Sequence, residues 1–255
     1  MANGGPAVDS SGNIYFLTSN GTFNPTTRDY ADSALKISPA GVLLDYFTPA
    51  NEATIGPANY DFGSGGVLLL PDQPGAHPHM TISAGKDSSM YLVDRDNMGH
   101  KTANNSGAVQ AFVNIFPFGT PEPGNYSTPV YFNGTVFFSP IADAVKAFQL
   151  SNGLVSATPT SQSSKTFAYP GGSMAISANG SSSGVLWAVE RTGATTSGVL
   201  HAYDPLNLAI ELYNSDQAGT RDTLAVAGKF SIPLVANGKV FVGAVGQLVI
   251  YGLLP

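Results

Sequence analysis

The sequence contains no cysteine, which excludes disulfides, thiolate metal centres and cysteine nucleophiles together while leaving the compartment open. Charge is also scarce. Asp, Glu, Lys and Arg make up 11% of 255 residues, with 11 basic against 17 acidic side chains and a formal net charge of -6. A nucleic-acid surface needs clustered Lys and Arg, so no nucleic-acid partner is expected. Long apolar runs are missing too. Stretches such as Val67 to Leu70 fall far short of the roughly 20 residues of a membrane-spanning helix, and no membrane span is expected. What is present is 29 Gly, 18 Pro, 43% hydrophobic and 10% aromatic residues. With so little helix-forming Glu, Lys or Arg, this is a strand-and-turn composition. An all-β chain of this length folds as one domain by default, here residues 1–255.

One short pattern recurs along the chain: a small residue or Pro, a Gly-containing turn, then β-branched and aromatic residues. Gly5-Pro6 leads through Gly12 to Ile14-Tyr15-Phe16, Thr128-Pro129 through Asn133-Gly134 to Val136-Phe137-Phe138, and Ile232-Pro233 through Asn237-Gly238 to Val240-Phe241-Val242. Each reads as a hairpin. Looser copies are Gly85-Lys86-Asp87 running into Met90 to Val93, and Ser173-Met174 leading through Gly184 to Val185 to Ala188. Third strands follow at Ala34 to Ile37, Ala144 to Phe148 and Leu200 to Asp204, and fourth strands at Val42 to Phe47 and Ala209 to Tyr213, in period-two alternation. Four strands in about 40 to 50 residues is propeller spacing. The expected fold is therefore an all-β propeller of four-stranded antiparallel blades, with about five blades present.

The last repeat stops at its third strand, Leu248 to Gly252, and Gly4 to Val8 opens directly on a first strand. The expectation is an incomplete set of blades whose open edges invite self-association. No signal peptide precedes Asn3, so an exported chain would be a mature form or a fragment. Asn20-Gly21-Thr22 and Asn133-Gly134-Thr135 fit glycosylation sequons, but Asn-Gly is equally a turn signal, and the turn reading is preferred.

Gly198-Val199-Leu200-His201-Ala202-Tyr203-Asp204 resembles the repeat of pyrroloquinoline quinone (PQQ) propellers, although Tyr213 stands where that repeat places Trp and the single Trp187 lies in another strand. Asn13 to Gly99 resembles more closely the central part of the PQQ-dependent alcohol dehydrogenases, through three segments in the family's order. Tyr15 to Gly21 is similar to the family segment whose Asn gives an oxygen to calcium, which implies Asn20 as metal ligand. Asn59-Tyr60-Asp61-Phe62-Gly63 is similar to the turn carrying the base that takes the alcohol proton, which implies Asp61. Gly85 to Arg95 is similar to the strand whose first basic residue bonds the quinone oxygens, which implies Lys86. A neutral amide oxygen suits a hard cation, a carboxylate beside it can act as base, and an ammonium can stabilise a reduced quinone oxygen. Asn20-Gly21 also reads as a plain turn, Asp61 as a loop acid and Lys86-Asp87 as a hairpin tip.

Parts of the family's site have no counterpart. Its adjacent-Cys disulfide cannot form, and its cofactor-supporting Trp and calcium-ligating Glu lie upstream of the matched region. The family's propeller also serves as a non-catalytic scaffold, among others in outer-membrane assembly factors. Two functions therefore compete: a degenerate or partial quinoprotein acting as a binding or scaffold module for a glycan or protein partner, and a PQQ- and calcium-dependent oxidoreductase acting on alcohols or sugars. A third is a propeller hydrolase of polysaccharides drawing on Asp61, Asp94, Glu190 and Asp222. The resemblance implies a bacterial protein exported to the periplasm or beyond. His77-Pro78-His79 with His100 is a weak metal signal, better read as exposed loop histidines. His201 reads as a satisfied strand histidine, and Arg221-Asp222 as a surface ion pair. No Gly-x-Ser-x-Gly elbow is present.

Overall fold

Three Asn-Gly pairs set the hairpins. Asn133-Gly134, Asn152-Gly153 and Asn237-Gly238 all carry positive φ at both residues (44° and 75°, 51° and 76°, 50° and 70°). Two successive left-handed residues define the turn whose twist matches that of antiparallel strands, and Asn followed by Gly adopts it at least cost. These turns join Val130–Phe132 to Thr135–Phe138, Asp143–Ser151 to Leu154–Val155, and Leu234–Ala236 to Lys239–Ala244. Asn133 is thus a turn residue.

The computed structural model describes residues 4–118 and 124–253. Its strands form five sheets and one small ribbon, Phe23–Asn24 with Asp29–Tyr30. The first sheet runs Ala7–Val8, Ile14–Leu17, Ala34–Ile37, Leu43–Thr48, with His100–Lys101 added in parallel at its edge. The second runs Val67–Leu69, Met80–Ala84, Met90–Asp94, Gln110–Phe112. The third runs Val130–Phe132, Thr135–Phe138, Asp143–Ser151, with Ser161–Phe167 and the short Leu154–Val155 both on the last of these. The fourth runs Ser173–Asn179, Ser182–Glu190, Val199–Asp204, Asn207–Asn214. The fifth has three strands among the described residues: Leu234–Ala236, Lys239–Ala244 and Gln247–Tyr251. The fold is a β-propeller of antiparallel blades, as the repeats anticipate.

One repeat differs from its sequence reading. Gly85-Lys86-Asp87 is the turn between the second and third strands of its sheet, and the first strand is Val67–Leu69. A Gly-Asp turn has the same composition wherever it falls in a blade, so the local pattern does not number the strands it joins.

The chain divides into two compact units. One is the chain to Pro129 together with Leu150–Ala157, and the other is Val130–Gln149 with the chain from Thr158 onward. The core of the first gathers Phe47, Phe62 and Tyr91, all fully buried, with Tyr91 5.2 Å from each of the other two rings and edge-on to Phe62. Rings in such tilted contact add to the area they bury. The second unit has two apolar clusters. One holds Phe137, Phe167, Leu186 and Tyr203. The other lies on one face of the fifth sheet, where Val240, Val242 and Tyr251 meet Val189 and Leu200 of the fourth.

Candidate functional site

The three residues singled out by the family resemblance converge in the first unit. Asn20 follows Ile14–Leu17, Asp61 precedes a short 3-10 turn at Phe62–Ser64, and Lys86 follows Met80–Ala84. The turn is tied to the strand end through the backbone. The Lys86 N–H is shared between the Asp61 carbonyl at 3.1 Å and the Ser64 hydroxyl at 2.8 Å, and Ser64 in turn donates to the Asn125 carbonyl. Close backbone approach requires glycine here. A Cβ on Gly63 would collide with the Thr18 carbonyl, and one on Gly85 with the backbone of Phe62.

Lys86 and Asp61 are 7% and 2% exposed, and the ammonium lies 2.7 Å from Asp61 Oδ2. The same ammonium donates to the Asn59 carbonyl at 3.1 Å and to Asn59 Oδ1 at 3.4 Å, with its Nζ 5.6 Å from the centre of the Tyr126 ring. An ammonium has three donors, and each of these finds an acceptor. Asn20, exposed, donates its side-chain amide to Asn59 Oδ1 at 3.3 Å. Asn59, held at φ 59°, is therefore the link through which Asn20 and Lys86 meet.

The ion pair sits among further buried carboxylates. Asp32, also left-handed with φ 45°, accepts the Phe62 N–H on Oδ1 at 2.9 Å, while its Oδ2 has no partner. Burial, with the charges of Asp61 and Glu52, pushes its pKa up to about 6, against the opposing pull of the Phe62 N–H and Lys86. Asp87 accepts the Tyr91 hydroxyl at 2.7 Å and is also pushed up to about 6, mainly by burial. Asp61 Oδ1 is a further buried oxygen without a partner.

Calcium takes six to eight oxygen ligands, usually including several carboxylates. Among the described residues no group of three or more His, Asp or Glu is placed to hold a metal ion. Asp61 already carries an ammonium at contact distance, where a divalent cation would meet like charge. The residues present do not fit the calcium site that the resemblance implies. Lys86 likewise has no donor left to offer a quinone oxygen.

The acids weighed for glycoside hydrolysis are all engaged. Asp61 holds Lys86 and Asp94 holds His77 Nδ1 at 2.7 Å. In the second unit, Glu190 bonds Lys165 at 3.0 Å and His201 at 3.1 Å, and Asp222 takes two 2.7 Å bonds from Arg221 and one of 2.6 Å from the Tyr213 hydroxyl. His201, buried mid-strand, has its other ring nitrogen 2.6 Å from Glu211, so it is a satisfied strand histidine. His77, His79 and His100 pair separately with Asp94, Asp96 and Asp45.

Asn59 and Asp87 lie inside the motif segments, but their roles depend on contacts across the sheet. Asp32 carries no local signal, because its partner Phe62 is 30 residues away.

No protein-family model matches the sequence, and no curated protein matches it. Among solved structures the chain is similar to BamB from Moraxella catarrhalis, with a TM-score of 0.54, 10% identity and 98% of this chain covered. The chain spans 60% of the length of that BamB chain. It is also similar to the computationally designed Ika8 protein, with a TM-score of 0.50 and 10% identity over 97% of this chain and 70% of that one. These likenesses establish the propeller fold.

Proposed function

We propose that this chain is a binding propeller that engages a protein partner and performs no quinone chemistry. The observation carrying this reading is the saturation of Lys86: its three donors are spent on Asp61 and Asn59, in a pair almost wholly out of solvent. A catalytic base must be free to take a proton, and an electrophilic ammonium free to meet developing charge. Here each group neutralises the other. The propeller likeness to BamB is in keeping with a scaffold role.

The dehydrogenase reading is favoured by one observation, the convergence of Asn20, Asp61 and Lys86 through Asn59. Calorimetric titration with PQQ, with and without calcium, separates the two. The binding reading expects no calcium-dependent heat and no dye reduction with any alcohol. Calcium-dependent PQQ binding weakened by Lys86→Ala would overturn it and restore the cofactor roles of Lys86 and Asn20.

A further inference from the structure

Met80–Ala84 and Met90–Asp94 are joined at one end by the turn that holds Lys86; at the other end His77 precedes the first strand and Asp94 closes the second. The connection that leaves Asp94 is long. It runs to Gln110, whereas the corresponding third-to-fourth connections run from Ile37 to Leu43 in the first sheet and from Asp204 to Asn207 in the fourth. On the way it lays His100–Lys101 along the edge of the first sheet. It also folds back on itself where Gly99 meets Gly107, and a Cβ on either would collide with the carbonyl oxygen of the other. Long insertions into a repeat commonly build binding surfaces.

This loop and His77 enclose an open cavity of about 560 Å³, within the size range of small-molecule sites. Its polar lining is His77, Asp94, Asn97, His100, Thr102 and Ser106; the rest is Gly, Ala and Val, and no Lys or Arg lines it among the described residues. Carboxylates orient both rings. Asp94 binds His77 Nδ1 at 2.7 Å and accepts the Asp96 N–H at 2.8 Å. Asp45 accepts the Tyr46 and Met98 N–H groups and lies 3.0 Å from His100 Nε2. In the neutral imidazoles this leaves Nε2 of His77 and Nδ1 of His100 as acceptors. The His100 ring stacks on Tyr46 with centroids 4.3 Å apart, and Tyr46 lies 4.7 Å from the Tyr30 ring. His100 itself is left-handed, with φ 58°, a backbone cost of the kind that accumulates at functional sites. The Asn97 and Ser106 side chains make no hydrogen bond among the described residues, and Thr102 Oγ1, which accepts the Gly107 N–H at 3.2 Å, keeps its own proton to donate.

We propose that this cavity binds a neutral carbohydrate, a hexose or short oligosaccharide, through hydrogen bonds between its hydroxyls and Asn97, Thr102, Ser106 and the open imidazole nitrogens, with an apolar sugar face against the His100 ring. Sugar hydroxyls donate and accept at once, which suits a lining that mixes amide, hydroxyl and imidazole groups. An anion would find no Lys or Arg, and would meet the carboxylates of Asp94 and Asp45 behind the rings. A cation would find those carboxylates already bonded to ring nitrogens and backbone N–H groups. An apolar ligand would leave the polar lining unpaired. This site goes beyond the protein-binding reading above and does not rest on it, since Lys86 lies at the far end of the same two strands.

The probes are cellobiose, maltose and N,N′-diacetylchitobiose, with glucuronate as the charged control, each titrated into the full chain and followed by ligand-observed NMR. The proposal expects saturable binding of at least one neutral sugar, with glucuronate at least about tenfold weaker. Asn97→Ala combined with Ser106→Ala removes two hydrogen-bonding groups that the fold does not use, and should weaken binding about tenfold. His100→Asn tolerates the left-handed backbone and keeps a polar side chain but removes the ring, and should weaken binding about three- to tenfold. Melting temperatures close to the parent's show that both variants fold. Failure of every neutral sugar to bind overturns the proposal, as does binding indifferent to both variants. Glucuronate binding as tightly as the neutral sugars overturns it too, by assigning the cavity to an anion. Zinc titrated alone is the last control: one-to-one zinc binding lost in His100→Asn, with no sugar bound, assigns the imidazoles to a metal instead. None of these outcomes alters the PQQ titration, which tests Lys86 and Asp61 separately.

Discussion

Asp32→Asn should stabilise the first unit at neutral pH and leave little difference in acid. Asp32 is fully buried, one of its oxygens has no partner, and its pKa lies at about 6 against an ordinary 3.8. The folded state therefore binds a proton that the unfolded chain has already released across that window. Stability contributed by this group is full below the unfolded pKa and falls as pH rises through about 4 to 6. At about 1.4 kcal/mol per pH unit, the gap between the two values corresponds to about 3 kcal/mol of destabilisation above pH 7. Asparagine keeps an oxygen for the Phe62 N–H, tolerates the left-handed backbone and carries no charge. It also relieves Asp87, whose raised pKa includes repulsion from Asp32. The comparison to make is the melting temperature of variant minus parent at pH 7.5 and again at pH 3.5. Costs of the substitution unrelated to charge are common to both and cancel in the difference. About 3 kcal/mol corresponds to a relative gain of roughly 10 °C at the higher pH for a unit of this size. An offset that is the same at both pH values would refute the reasoning, and one larger in acid would reverse its sign.

Lys86→Met should destabilise the first unit by about 3 to 5 kcal/mol, because it leaves the Asp61 carboxylate buried and unpaired, whereas the double variant Lys86→Met with Asp61→Leu should recover much of the loss. Urea unfolding of the three proteins checks this, and equal losses in single and double variants would count against it. In the second unit, Glu190 is buried, which opposes ionisation, yet the hydrogen bonds from His201 and Lys165 hold its pKa below the ordinary carboxylate range. Its contribution is therefore present above the unfolded pKa and lost as pH falls through the folded one. Glu190→Gln should cost about 2 to 3 kcal/mol at pH 7 and progressively less below about pH 4 in denaturant titrations, and a cost independent of pH would contradict the assignment.

Much of the fold is legible because its signals are local. Val136-Phe137-Phe138 after Asn133-Gly134 alternates with period two directly beyond a turn that only a few residue types adopt, and the structure puts a strand there. The misnumbered strands around Gly85 show where local signals stop. Met80–Ala84 is separated from its partner Val67–Leu69 by a loop rich in Pro and His, which hides the first hairpin of that blade. The site follows the same division. Asn20, Asp61 and Lys86 stand in segments that resemble known motifs, and they do lie close together. Which atoms they spend on one another is decided by Asn59 turning left-handed and by Ser64 clamping the Lys86 backbone, and neither is encoded at the three positions themselves.

The two buried acid clusters respond to protons in opposite directions because their supply of cations differs. Glu190 has Lys165 and His201 at hydrogen-bond distance, so ionisation is the favoured state despite burial. In the first unit one ammonium faces several carboxylates. Glu52 has its own partner in Lys101 at 2.7 Å, but Asp61 takes Lys86, and Asp32 and Asp87 are left with an N–H or a hydroxyl apiece as their closest donors. A neutral donor offsets only part of the cost of burying a full charge. The proton is then the remaining means of neutralising Asp32 and Asp87. Replacing Asp32, rather than either member of the ion pair, is for this reason the substitution whose effect should change most between pH 4 and 6.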